Sequence, residues 1–126
     1  VPTSLPSMVK AIRLQEKAKG VGFEWPDSTG AIDKIEEELA ELKEAIAQTE
    51  NDERVESEFG DFLFSVINTS RYFNVNADNA LERTNRKFKS RFEHIEKSAR
   101  QKGIELHDMS LEEMDKFWEE AKTLGS

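Results

Sequence analysis

Two pairs of carboxylates are spaced so that they could do chemistry together. Glu38 and Glu41 lie three residues apart, and Glu58 and Asp61 repeat that spacing. On a helix, this puts each pair on one face, one turn apart. Each pair also flanks an apolar stripe: Ile32, Ile35, Leu39, Leu42 and Ile46 for the first, and Val55, Phe59, Phe62, Val66, Thr69 and Phe73 for the second. At roughly 100° per residue, both pairs fall about 70° and 130° to the same side of the stripe centre. Glu38 with Asp61, and Glu41 with Glu58, share one midpoint, inside the polar segment Thr49–Asp52. With a rise of about 1.5 Å per residue, two helices folded back at that segment bring the four carboxylates face to face. Alone, the acidic run of Glu36, Glu37, Glu38, Glu41 and Glu44 reads as a solvated face. The match in spacing, angle and height is what sets the two pairs apart.

Four carboxylates at the edge of a core repel one another unless a cation neutralises them. An all-oxygen set selects a hard ion, Mg²⁺ or Mn²⁺. A di-iron bundle would add Glu-x-x-His, but Arg91 and Ile104 occupy the positions three residues before His94 and His107. Neither histidine has a nucleophile or cysteine around it, and neither is given a role.

A second set of residues carries positive charge. Lys87 and Arg91 are four apart on one flank of a helical stripe, with Asn85 on the opposite flank. Taken alone they are ordinary surface charge. Beside a carboxylate–metal site they suit a polyphosphate, which Arg91 can grip through two parallel hydrogen bonds. Trp118 and Lys122 are also four apart, and Trp118, next to Phe117, reads first as core and second as a stacking platform. Asn68 follows Asp61 by seven residues and reads as a satisfied polar neighbour.

The elements that must hold these groups are five helices, near residues 7–20, 31–48, 53–73, 77–102 and 111–124. Ser7 is the expected N-cap of the first and Gly20 its stop; Gly103 ends the fourth; Ser110 and Glu113 form a capping box for the last. The loop from Val21 to Ser28 carries Phe23 and Trp25, which need cover from the core or from a ligand. All three prolines fall at or before position 26, and no run alternates like a strand. The expected fold is all-α, an antiparallel bundle in one domain. Five short amphipathic helices in 126 residues offer limited self-burial, so a homodimer is expected.

The formal net charge of −8 argues against a nucleic-acid backbone as partner. The absence of cysteine excludes disulfides and thiolate metal sites and fits a cytoplasmic setting. No apolar run approaches the roughly 20 residues that span a bilayer, and no signal-peptide pattern is present. The chain starts at Val1, without a Met, as a segment of a longer protein would; Gly125-Ser126 reads as a natural stop or a boundary.

The run from Ile35 to Leu42, IEEELAEL, followed by Glu58-Phe59-Gly60-Asp61, resembles the E-x-x-E…E-x-x-D signature of the all-α nucleotide pyrophosphohydrolases. The stretch from Asn85 to Phe92, and the earlier Leu14–Ala18 and Val21–Trp25, resemble MazG proteins in particular. The similarity runs from about Leu5 to Lys122. It implies Mg²⁺-dependent hydrolysis of nucleoside triphosphates to monophosphate and pyrophosphate, a clean-up of nucleotide pools, by the second, catalytically competent half of a two-half protein. It further implies that Glu38, Glu41, Glu58 and Asp61 bind metal and nucleotide; a metal-bound carboxylate that positions the water, Glu38 or Glu41, is the expected base. Lys87, Arg91, Trp118 and Lys122 would contact the nucleotide, and the assembly would be a dimer; Asn85, from its opposite flank, is expected to meet a different part of the ligand or only the core. A basic residue ahead of this region in longer family members has no counterpart after Val1. Two other readings fit the same scaffold less well: a dedicated dUTP, dCTP or phosphoribosyl-ATP pyrophosphohydrolase, and a non-enzymatic helical interaction module.

Overall fold

A computed structural model describes residues 1–48 and 52–125. Five α-helices follow in order: α1 (Ser7–Gly20), α2 (Ser28–Gln48), α3 (Asp52–Arg71), α4 (Ala77–Lys102) and α5 (Leu111–Thr123), with a 3₁₀ turn at Leu106–Asp108. No strand occurs among the described residues. The expected turn at Thr49–Asp52 lies outside the described residues, except for Asp52, which opens α3. No helix is long and apolar enough to cross a membrane among the described residues.

The helix ends show where local chemistry departs from the sequence expectations. Pro6, not Ser7, is the N-cap of α1, and it offers no side-chain cap. Its fixed φ and its carbonyl, which accepts from Lys10 N at 2.9 Å, start the helix instead. Gly20 is the last helical residue and not the stop. Gly22 takes the left-handed conformation (φ 83°), Phe23 N donates to Ala18 O, and Gly22 N donates to Lys19 O. That is a Schellman ending, in which a residue without Cβ carries no steric penalty. Asn74 (φ 56°) plays the same part after α3, with Val75 N donating to Ser70 O, so α3 stops at Arg71 and does not reach Phe73. α2 begins three residues before the expected Ala31, because the Asp27 carboxylate accepts from Thr29 N at 2.9 Å and caps an earlier turn. The capping box at the start of α5 forms as expected: Glu113 N donates to Ser110 Oγ, and Ser110 N to Glu113 Oε1.

The chain divides into two compact units, Val1–Asp78 and Asn79–Ser126. In the first, α2 packs on α3 and α1 on α3. Its buried residues are Ala31, Leu42, Ala45 and Ile67, together with the polar Gln15, Glu38 and Ser65. Thr69 Oγ1, near the end of α3, donates to Ala31 O near the start of α2. In the second unit, Ile95, Ala99, Met109 and Phe117 form the core, with Phe92, Leu106, Met114 and Trp118 packed against it.

The buried line on α2 and α3 is rotated from the expected stripe. On α2 it runs through Ala31, Glu38, Leu42 and Ala45, while Ile32, Leu39 and Ile46 are exposed. On α3 it passes through Ser65 and Ile67, with Phe59, Leu63 and Val66 exposed. Small Ala31, Ala45 and Ser65 share the buried line with Leu42 and Ile67, so burial does not follow the largest apolar side chains alone.

Candidate metal centre

The rotation of α2 carries Glu38 inward, to 7% exposure. There it meets Glu58 and Asp61 from α3: one carboxylate oxygen from each lies within 4.8 Å of the others. Glu58 is half-buried and Asp61 exposed, so the group opens from the helix interface toward solvent. As numbering advances along α2 from Ala31 to Glu38, its partners on α3 retreat from Thr69 to Asp61 and Glu58. Exposed acidic residues gather on many surfaces, but a buried carboxylate facing two more has lost much of its water.

Glu41 lies outside this group of three but within its field. Its carboxyl is pushed above the ordinary glutamate value, first by the charge of Glu38, then by burial, a hydrogen bond with Glu38, and the charges of Glu58 and Glu37. Like charges held together favour the protonated form. The only cation paired with Glu38 among the described residues is Lys34, whose Nζ is 3.2 Å from Glu38 Oε1 and 3.3 Å from Glu37 Oε1. These contacts raise the Lys34 pKa above its ordinary value, the hydrogen bond to Glu38 contributing most. One ammonium does not balance the cluster. Glu38 Oε2 and Glu58 Oε2 are buried and have no hydrogen-bond partner. Such acceptors are costly unless something binds them, and a hard divalent cation fits this donor set.

Beside the carboxylates lies an open cavity of about 410 Å³, with Glu38 and Asp61 in its wall. Phe23, Trp25 and Phe64 give it apolar surface; Lys34, Ser65 and Asn68 give it a polar edge. The two loop aromatics are therefore outside the core, with Phe23 81% exposed. Lys34 and the cavity role of Asn68 went unnoticed in the sequence. The signal for Lys34 was its position four residues before Glu38, on the same helical face.

The remaining candidates lie in the second unit. Lys87, Asn85 and Lys122 are exposed, and Lys122 Nζ pairs with Glu119 at 3.6 Å. The Arg91 guanidinium lies over the Trp118 ring, 5.2 Å from its centroid, and Phe88 packs against the same ring at 5.2 Å. Trp118 thus flanks the core with one face and supports Arg91 with its ring. His94 Nε2 sits 3.0 Å from Glu120 Oε1, a local pairing.

Comparison with known proteins bears on what this arrangement is for. The chain is 44% identical over 118 residues to a Thermotoga maritima protein named nucleoside triphosphate pyrophosphohydrolase/pyrophosphatase MazG, covering 94% of this chain and 45% of that protein. It is 33% identical over 123 residues to the Escherichia coli K12 nucleoside triphosphate pyrophosphohydrolase, covering 97% and 47%. A Bacillus subtilis protein, the uncharacterized YabN, is 43% identical over 122 residues, covering 97% of this chain and 25% of that one. The chain spans less than half the length of each of these relatives. The MazG nucleotide pyrophosphohydrolase domain matches residues 28–96, which include all four candidate carboxylates, and the chain belongs to that family.

Proposed function

We propose that this chain hydrolyses nucleoside triphosphates to the monophosphate and pyrophosphate, with Mg²⁺ or Mn²⁺ held by Glu38, Glu41, Glu58 and Asp61. The observation that carries the reading is the buried Glu38 carboxylate facing Glu58 and Asp61, with two carboxylate oxygens left without partners. Family membership and the names of the relatives support it. The cation, when bound, neutralises phosphate charge and acidifies water.

The residues of the chain do the rest. Glu38 or Glu41 accepts a proton from the attacking water. The water oxygen bonds to the α-phosphorus, the bond from that phosphorus to the bridging oxygen breaks, and pyrophosphate leaves with the electron pair. Attack at the α position rests on the family resemblance. Lys87 and Arg91 bind polyphosphate oxygens, Lys122 and Asn85 contact the nucleotide, and Trp118 serves nucleotide binding through the Arg91 that it supports. Lys34 joins the phosphate-binding groups, because its ammonium lies in the cavity wall beside Glu38. The helices form an antiparallel bundle, the active form is a homodimer, and the setting is the cytoplasm. A pure interaction module would not need a carboxylate buried against two others, since burial of unneutralised charge only destabilises it.

Incubation with a mixture of nucleoside triphosphates and Mg²⁺, followed by an assay for pyrophosphate, tests the proposal. Pyrophosphate and monophosphate in equal amounts are expected. Release of orthophosphate alone, or no release, would overturn it.

A further inference from the structure

We propose that the cavity walled by Trp25, Phe23 and Phe64 is the nucleobase site of this chain, and that Asn68 reads the edge of the base. The inference rests on the pyrophosphohydrolase reading and names where that substrate's base goes. Glu38 and Asp61 are shared between the cavity wall and the carboxylate group. A nucleotide whose phosphates meet those carboxylates therefore has its nucleoside part at the cavity mouth. A base has two apolar faces and a polar rim, and the cavity matches both with aromatic surface and a short polar edge.

The wall is built to stay in place. Tyr72 Oη accepts from Trp25 N at 2.8 Å and donates to Trp25 O at 3.1 Å, clamping the loop to the end of α3. The Trp25 ring lies against Gly30, where an added Cβ would come within 3.0 Å of ring carbons. A side chain at position 30 would push the indole from this seat. Pinning an exposed aromatic at both its backbone and its ring serves a ligand more than it serves a core.

Asn68 is oriented as well. Arg71 donates to its Oδ1 through Nε at 3.0 Å and Nη2 at 2.6 Å. Arg71 is held in turn by Glu24 at 3.8 Å and stacks over Tyr72 at 5.3 Å. With Oδ1 committed, the amide Nδ2 is left to donate, and Asn68 lines the cavity. Asn68 thus selects bases that present an acceptor at that point. Ser65 also lines the cavity, with its Oγ donating to Phe62 O at 2.7 Å.

The test separates this site from catalysis. The four 2′-deoxynucleosides, which carry no phosphate, are titrated into the ¹⁵N-labelled chain without metal, and the two indole N–H signals are followed, assigned with Trp25→Phe. Movement of the Trp25 signal is expected. Movement of the Trp118 signal alone, or none at Trp25 up to several millimolar nucleoside, overturns the proposal. Asn68→Asp keeps an acceptor for Arg71 and removes the donor, so the kcat/KM ranking of the four triphosphates should change by tenfold or more between best and worst. An equal loss on all four would also overturn it. Nucleosides that move Trp25 in a protein that releases no pyrophosphate would sink the activity and leave the base site standing.

Discussion

Lys34 Nζ stands 3.2 Å from Glu38 Oε1, one turn back on the same helix, while Glu38 Oε2 is buried without a partner. The carboxylate therefore has one oxygen answered and one waiting. An ammonium beside a cation site opposes metal binding and favours a polyanion. Lys34→Ala should tighten divalent-cation affinity severalfold in the absence of nucleotide, and should weaken triphosphate turnover through KM. Titration of Mn²⁺ by calorimetry, alongside steady-state kinetics, reads both. Unchanged metal affinity with unchanged KM would remove Lys34 from the site.

Turnover should require a divalent hard cation. The carboxylate set offers only oxygen donors, and it has no cationic partner strong enough to replace the ion. Excess chelator should stop pyrophosphate release, and Mg²⁺ or Mn²⁺ should restore it. Full turnover in chelator would reject the metal reading.

Glu38→Gln and Asp61→Asn should each lower kcat/KM by about 100-fold or more while raising the metal-free thermal midpoint by about 2–4 °C. Each relieves repulsion in the apo cluster. Wild-type activity in both variants would reject the assignment of these residues.

The same repulsion gives the metal-free protein a pH dependence. Glu41 has a raised pKa in the folded chain, so the folded state holds its proton more tightly than the unfolded state. Its contribution therefore favours folding at low pH, and is lost as pH rises from the ordinary glutamate value through the raised one. Thermal midpoints of wild type and Glu41→Gln, measured without metal from pH 4 upward, should diverge with rising pH, the variant being the more stable at neutral pH. Parallel curves would contradict this coupling.

Much of this centre was legible in the sequence because helical geometry is rigid. The three-residue spacing of Glu38 with Glu41, and of Glu58 with Asp61, left little freedom once two helices were inferred. What was not legible was the rotation of α2 and α3 about their axes. Counting large apolar residues selects Ile32, Ile35, Leu39, Leu42 and Ile46; Leu42 is buried as expected, but Ile32, Leu39 and Ile46 are exposed while Ala31, Ala45 and Glu38 are buried. Which side of a helix meets its neighbour depends on both helices, and neither sequence alone carries it. The expected start of α2 at Ala31 is three residues late because the Asp27 cap is a loop side chain reaching into the first turn; Gly30 lies inside the helix, where the Trp25 ring packs against it. Asn68 was read as a satisfied side chain, which is half right: Arg71 satisfies its oxygen and not its nitrogen.

The proposed homodimer can be tested at the apolar residues that α2 and α3 leave exposed. Ile32, Leu39 and Ile46 form one line on α2, and Phe59, Leu63 and Val66 one face of α3, with Leu63 56% exposed. Sedimentation should give about twice the chain mass of 14.5 kDa at micromolar concentration. Leu63→Glu should shift the protein toward monomer while keeping its helical content. A wild-type monomer would end the homodimer proposal.

Arg91 and Trp118 should act differently although they touch. The guanidinium lies over the indole ring at 5.2 Å, so the ring holds the cation in place. If Arg91 serves the phosphates, which all substrates share, Arg91→Ala should cost about 2–3 kcal/mol in kcat/KM, nearly equally for purine and pyrimidine triphosphates. Trp118 has one side packed against the Ile95 and Phe117 core, so Trp118→Ala should lower the thermal midpoint as well as activity. Its effect on turnover should run through Arg91: in the double variant the loss should fall well short of the sum of the single losses. Trp118→Phe keeps a ring under the guanidinium and should recover most of the activity. The decisive measurement is kcat/KM of the two single alanine variants and the double on four nucleotides. A base-dependent loss at Arg91 would give it a role at the base, and additive losses would show that Trp118 contacts the nucleotide on its own account.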